Sequence, residues 1–459
     1  MTETGIPDRD EIEAALTGHG ADYVEVRFDD TSTNRIVYRG RELEEIGRTR
    51  SFGGNTRALV KGGWGFVSFN EPSELRKRVE EAVTAARHVG RETSALAEVE
   101  PVVDSVRLSL TKDPRTVPLA IKKEMLDGYN EAMLAVDGVT STNIVYADGH
   151  KRVVFASSEG SFIEQERIDV VSRLAATARK NGDMQQSSMS LGALNDFSYI
   201  ETLGETAQHI GERAVELLSA PYVKAGTYPV VLDPILAGVF CHEAFGHLSE
   251  SDFVYENDRM KEIMVIGRQF GQPHLNIVDG AAVPDLRGSF KYDDEGVPAR
   301  KTDLIRDGIL VGRLHSRETA GKMGEQLSGN ARALDYRFPP IVRMTNTYIE
   351  PGDMTFEDVI AHIDEGVYAR NWFGGTTSME MFTFSAGEAY MIRNGKVAEL
   401  LRPVKLTGNL FTTLMNIDAL GNDMDFNQGG GCGKAGQMPL PVSNGSPHIR
   451  IQDCVVGER

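Results

Sequence analysis

Three cysteines occur in 459 residues, and no Cys-x-x-Cys pair is among them. Cys241, Cys432 and Cys454 are too few for a disulfide framework. Few thiols fit a reducing compartment. No apolar run approaches the roughly 18 residues that a membrane helix needs. The first residues, Met-Thr-Glu-Thr-Gly-Ile-Pro-Asp-Arg-Asp, are acidic and polar where a secretory signal would be basic and then apolar. A cytoplasmic protein with no membrane partner is the expectation. Long basic runs are also missing, and the formal net charge is −18. Phosphate binding is driven by Lys and Arg releasing counterions, so nucleic acid is excluded as the expected partner. Low complexity is absent too. Hydrophobic residues make up 41% and charged residues 25%, which leaves an ordinary globular chain long enough for two or more cores.

Against this background one segment stands out. Val-Phe-Cys-His-Glu-Ala-Phe-Gly-His-Leu-Ser-Glu places His242, Glu243 and His247 as His-Glu-x-x-x-His on an apolar run. Two imidazoles can hold a zinc ion, and a carboxylate beside the first can take a proton from metal-activated water. The spacing is unusual, because the histidine pair of a zinc-peptidase helix is normally i, i+4. At about 100° per residue, i+5 lies roughly 140° around a regular helix. A π-bulge returns it to the first ring's side, and Gly246 would lower the steric cost of that distortion. Without such a bulge the segment is a core helix with two satisfied histidines.

Hydrolysis at zinc calls for three protein ligands and one open position. Cys432 is the leading third candidate. It lies in Asn-Gln-Gly-Gly-Gly-Cys-Gly-Lys-Ala-Gly-Gln, where glycines allow close backbone approach. Lys434 is placed to favour the thiolate, the form that binds metal. Glu250 and Asp252 are oxygen alternatives, ranked second. Cys241 and Cys454 read as small buried hydrophobes. The glycine cluster is not a phosphate loop, since Gln428 and Ala435 occupy positions that require Gly and Ser or Thr. Gly431, Gly433 and Gly436 spell a dinucleotide fingerprint, but Pro439 and Pro441 forbid the helix it must open.

Periodicity gives an α+β fold, with an antiparallel-sheet N-terminal domain carrying helices and a sheet-rich C-terminal domain carrying the metal-binding helix. Residues 9–19, 72–91, 117–136 and 200–219 read as helices. Strands are expected at 23–28, on both sides of Gly40 and of Gly62-Gly63, and over 140–147, 150–157 and 161–179, with turns at Gly149 and Glu159-Gly160. Pro221 marks a boundary between 1–220 (sub-regions 1–105 and 106–220) and 221–459. In the second part the motif helix starts near Pro234, Asp307-Gly308 and Asn394-Gly395 read as hairpin turns, and 354–364 is helical.

The His242-Glu243-x-x-x-His247 and Gly-Gly-Cys432-Gly-Lys-x-Gly-Gln segments resemble the TldD/PmbA family of metallopeptidases. So do Gly53-Gly-Asn-Thr-Arg-Ala, Asp293-Asp-Glu-Gly-Val-Pro and Thr407-Gly-Asn-Leu, and the likeness covers nearly the whole chain. It implies a zinc peptidase of the metal-bearing type, with His242, His247 and Cys432 as ligands and Glu243 as general base. It also implies unfolded or small peptides as substrates, leader-peptide trimming of modified peptides, and a hollow dimer with a homologous subunit; the partner is that subunit or a second copy. An extended grip along a sheet edge suits such substrates, and Asp293–Gly296, Asn330–Arg332 and Thr376–Ser378 are candidate lining segments. The rival reading is a non-catalytic, chaperone-like subunit with a structural metal, which would need four protein ligands. A third is regulation of a DNA enzyme through protein contacts.

Overall fold

The computed structural model describes residues 5–378 and 380–458. The first part of the chain builds one seven-stranded sheet from β1 (Tyr23–Arg39), β2 (Glu42–Val60), β3 (Gly63–Phe69), β4 (Val103–Val106), β5 (Val139–Ser157), β6 (Phe162–Lys180) and β7 (Asp183–Leu194). The order is β3-β2-β1-β5-β6-β4, with β7 also on β6. All neighbours are antiparallel except β4 on β6. Residues before and after 105 therefore share one sheet.

Side chains alternate faces along a strand, and this alternation decides how the sheet is used. Val24, Val26, Phe28, Ile36 and Tyr38 of β1 are buried against helices. The Arg9–Ala15 and Leu75–Val89 helices cover one end of the long strands, and the Leu119–Leu134 and Gly204–Ser219 helices cover the other. The intervening residues Arg27, Asp29, Thr31 and Thr33 face the C-terminal half. Gly149 was expected at a turn. It lies within continuous β5, paired with Thr33 of β1, because ladders on both sides of β5 carry it straight through. The expected helices are present but each is shorter at both ends or one; the first, for example, stops at Ala15, ahead of the left-handed Gly18 and Gly20. Helical 354–364 shrinks to Phe356–Ile360.

In the C-terminal half the strands Glu365–Ser378, Gly226–Leu232, Ile449–Glu458, Val404–Asn409 and Met381–Arg393 pair in sequence, and the last pairs back on the first. They form a closed ring. A separate six-stranded sheet includes Ile277–Gly280, Asn346–Ile349 and Ser443–Ser446. The expected turns occur at Asp307-Gly308 and Asn394-Gly395, where all four residues have positive φ, as a two-residue hairpin of type I′ requires. The fold is α+β with sheet-rich halves.

The two halves meet through charged and close-packed contacts. Arg57 pairs with Glu25 at 2.7 Å and Glu295 at 2.5 Å. Arg27 meets Asp294 at 3.1 Å. Asn55 donates to the Tyr336 carbonyl, and a Cβ on Gly53 would sit 2.3 Å from the Tyr336 ring. Two sequence motifs far apart in the chain, 53–58 and 293–298, are thus opposite sides of one contact.

Candidate metal centre

Asp233 starts the motif helix. Its carboxylate accepts from Leu236 N at 2.8 Å, and Pro234 fills the first position, where a missing N–H costs nothing. The α-helix Pro234–Cys241 lies between the strand ring and the six-stranded sheet. Phe240 packs edge-on against Phe382 and Phe384. On the opposite side Gly238 brings the backbone against Asn444, where a Cβ would lie 2.8 Å from main-chain atoms. Leu236, Val239 and Phe240 are buried, each worth roughly 1.5–3 kcal/mol against exposure. That packing fixes the end of the helix rigidly.

The helix then widens. His242–Gly246 is a π turn and His247–Ser249 a 3₁₀ turn. The extra residue brings His247 back beside His242, with ring centroids 5.1 Å apart. Gly246 serves a different purpose from the one expected. Its backbone angles are ordinary helical values, so the distortion does not demand glycine. A Cβ there would lie 2.0 Å from the Met344 sulfur, so close approach is what demands it.

Cys432 arrives on a hairpin formed by Gly431–Lys434 and Gln437–Pro441, with Cys432 opposite Leu440. Ala435 and Gly436 make its positive-φ turn. The glycine cluster is therefore a strand and a turn and opens no helix. Buried Arg343 holds the hairpin from behind, donating to the carbonyls of Cys432 (2.9 Å) and Gln437 (3.3 Å).

The three expected ligand residues come together: one donor atom each of His242, His247 and Cys432 lies within 4.8 Å of the others. Cys432 Sγ is 3.6 Å from His247 Nε2. A sulfur at about 2.3 Å and a nitrogen at about 2.0 Å from one tetrahedral zinc would be about 3.5 Å apart, so the spacing fits. His242 Nδ1 is buried with no hydrogen-bond partner among the described residues, and buried polar atoms are rarely left so. Two imidazoles and a thiolate form a donor set that suits zinc. Burial pushes the Cys432 thiol up, but the neighbouring His242 and His247 outweigh it and hold it down at about 5.

Lys434 does not act on the thiol as expected. Its ammonium sits on Asp252 at 2.7 Å, Glu250 at 3.2 Å and the Val342 carbonyl at 2.9 Å. Glu250 is fully buried and accepts from His247 Nδ1 at 3.0 Å. It orients the ring that faces Cys432, in the way that outer carboxylates orient metal-bound histidines. Its position three residues after His247, one turn along, was the signal available for this role. Burial raises the Glu250 carboxyl and drives down His247, yet their mutual attraction reverses both: Glu250 is lowered, with help from Lys434, and His247 is raised well above its usual value, with help from Cys432. Cys241 and Cys454 are buried with raised thiols, away from this group.

Glu243 lies between the two histidines, half-buried. Its carboxylate makes no ion pair or hydrogen bond with the described residues. Of the candidate lining segments, Asp293, Asp294 and Arg332 do line a cavity, which also reaches Leu440 of the Cys432 hairpin. Asn330 instead spends its amide on Asp279 and the Arg343 carbonyl. Thr376 and Thr377 do not line that cavity.

The chain matches the family profiles of the PmbA/TldA metallopeptidase C-terminal domain over residues 225–458, domain 1 over 24–86 and the central domain over 112–220. It is 48% identical to a Synechocystis protein named a metalloprotease, over 95% of each chain. A zinc metalloprotease TldD homolog from Saccharolobus solfataricus is 27% identical over 95% of this chain and 97% of its own. The solved TldE of Thermococcus kodakarensis shares the fold, with a TM-score of 0.76 at 18% identity over 98% and 99% of the two chains. With a profile match over half its length and a relative this similar, the chain belongs to the PmbA/TldD family of metallopeptidases.

Proposed function

We propose that the chain is a zinc-dependent peptidase acting on unfolded or small peptides, with His242, His247 and Cys432 as metal ligands and Glu243 as general base. The convergence of those three donors carries the reading. Zinc bound there would supply Lewis acidity toward a peptide carbonyl and bring the pKa of water toward about 7. Glu243 would accept a proton from water and deliver it to the leaving amine. Its freedom from other partners supports that role, since a carboxylate held by an arginine is a poor base. Glu250 and Lys434 would hold His247 and the Cys432 hairpin in register. A count of three donors among the described residues, where a structural zinc site has four, favours catalysis over a purely structural metal.

The same reading takes as partner a homologous subunit, of the kind that the TldE relative represents in name, or a second copy of this chain. It includes the trimming of leader segments from modified peptides as one use of the activity. No helix of the described residues is long and apolar enough to cross a membrane, and a cytoplasmic location is part of the proposal.

The test is metal content and peptide cleavage of the purified chain, alone and with any co-purifying homologue, before and after chelation and on zinc readdition. Activity that follows zinc supports the reading. Glu243→Gln is expected to keep zinc and to lose about 10²–10⁴-fold in kcat; full activity in that variant would remove Glu243 from the mechanism.

A further inference from the structure

A cavity of about 770 Å³ lies between the face of the first sheet that carries Arg27, Thr31 and Thr33 and the C-terminal half. Its walls are largely apolar, with Val153, Val171, Leu194, Phe290 and Leu440 among them. Leu440 is the residue paired with Cys432, so the cavity and the candidate metal centre lie against the same hairpin. One charge on its wall is anomalous. Arg332 is buried, lines the cavity and makes no ion pair with any described residue. Two of its nitrogens donate to the carbonyls of Met344 at 2.6 Å and Pro441 at 2.7 Å, which leaves donors of its five-fold fork unspent. Its guanidinium lies 5.4 Å from the centre of the Phe290 ring.

The other cations on the wall are answered. Arg27 has Asp29 and Asp294, Lys151 has Asp29, and Arg167 has Asp169. Burial, together with Arg167 and Arg343 nearby, brings Arg332 down to about 9 despite Asp294 and Asp279. A buried cation without a counter-charge is unfavourable, and an incoming anion relieves it. A carboxylate is the anion that a guanidinium fork matches geometrically.

We infer that this cavity receives an apolar chain ending in a carboxylate, and specifically the free C-terminal end of a peptide, with the carboxylate on Arg332 and apolar side chains against Val171, Leu194 and Leu440. The assignment of a peptide rests on the peptidase reading; the pairing of carboxylate with Arg332 does not. The cavity would hold the C-terminal part of a substrate or a product beside the Cys432 hairpin, and it would favour ends with bulky apolar side chains.

The experiment is calorimetric binding to the full chain carrying Glu243→Gln, in chelator, so that no turnover enters. The probes are acetyl-Val-Leu-Phe with a free C-terminus, the same peptide as its C-terminal amide, and octanoate. The free acid is expected to bind about ten-fold or more tightly than the amide, the span of a charged hydrogen bond, and more tightly than octanoate. Arg332→Gln should abolish the preference for the acid, and Val171→Trp should weaken both peptides by filling the space; thermal unfolding checks that each variant is folded. Equal binding of acid and amide to the parent chain overturns the inference even if both variants fail to fold. Octanoate binding more tightly than the peptide overturns the peptide assignment. Because binding is read without metal, these failures are separate from a failure of zinc-dependent cleavage.

Discussion

Asp233 and Glu250 are both buried carboxylates, at opposite ends of one segment, and their chemistry diverges. Asp233 opens the motif helix and accepts main-chain N–H groups from Leu236 and Asn371. Burial outweighs those bonds and raises it to about 6. Glu250, equally out of water, meets His247 and Lys434 and is lowered. Enclosure alone pushes a carboxyl toward its neutral form, and a specific cation is needed to reverse the sign. The cysteines repeat the lesson. Cys241, next in chain to His242, is buried and raised, whereas Cys432, buried among imidazoles, is lowered to about 5. One end of the segment is scaffold and the other is arranged for charge.

The sharpest way to break this comparison is to exchange sulfur for oxygen at each thiol. Cys432→Ser should lower zinc affinity by well over about 100-fold, more than the loss of an outer-sphere partner costs, while Cys241→Ser and Cys454→Ser leave zinc content near that of the parent chain. Metal analysis after dialysis against a weak chelator reads the difference, and equal losses from all three would refute the ligand assignment.

Next in size is Glu250→Gln. It keeps the shape of the side chain and removes the charge that holds His247, so zinc affinity should drop by about 10–100-fold with the fold intact. A competition titration measures this. An unchanged affinity would reduce Glu250 to another buried acid like Asp233.

The smallest effect concerns Asp233 itself. An acid whose folded pKa lies above its unfolded value holds its proton better in the folded state. Its contribution to stability is therefore lost as pH rises from 3.8, its ordinary value, to about 6. Asp233→Asn retains a competent helix cap but has no proton to lose. Denaturant unfolding at pH 4 and pH 7 should show the parent losing on the order of 2 kcal/mol more than the variant across that interval. Parallel pH profiles would mean that Asp233 is not what burial makes of it.

The chemistry-bearing residues were legible early because their types are restricted. Few side chains bind a soft metal, and His242, His247 and Cys432 could be singled out by type, neighbours and family resemblance. The π turn was legible as well, since a five-residue spacing has few ways to put two rings together. The reason for Gly246 was not, because it depends on Met344, which arrives from a distant segment between two strands. Lys434 was placed on the wrong partner for the same reason: Glu250 and Asp252 reach it only after the hairpin folds back on the motif. Gly149 misled because a glycine looks alike in a turn and in the middle of a strand, and pairing on both sides of β5 settled which.

What the sequence by itself determined was the alternation of apolar residues that makes strands, the capped start of the motif helix, and the identity of the groups able to bind metal. All of these depend on residue type and on neighbours a few positions away. The tertiary structure alone decided which carboxyl is raised and which is lowered, which glycine makes room for which side chain, and that Arg332 is left facing a cavity without a counter-ion among the described residues. Those outcomes depend on distances between residues far apart in the chain, and electrostatic and steric energies change sign over a few ångströms.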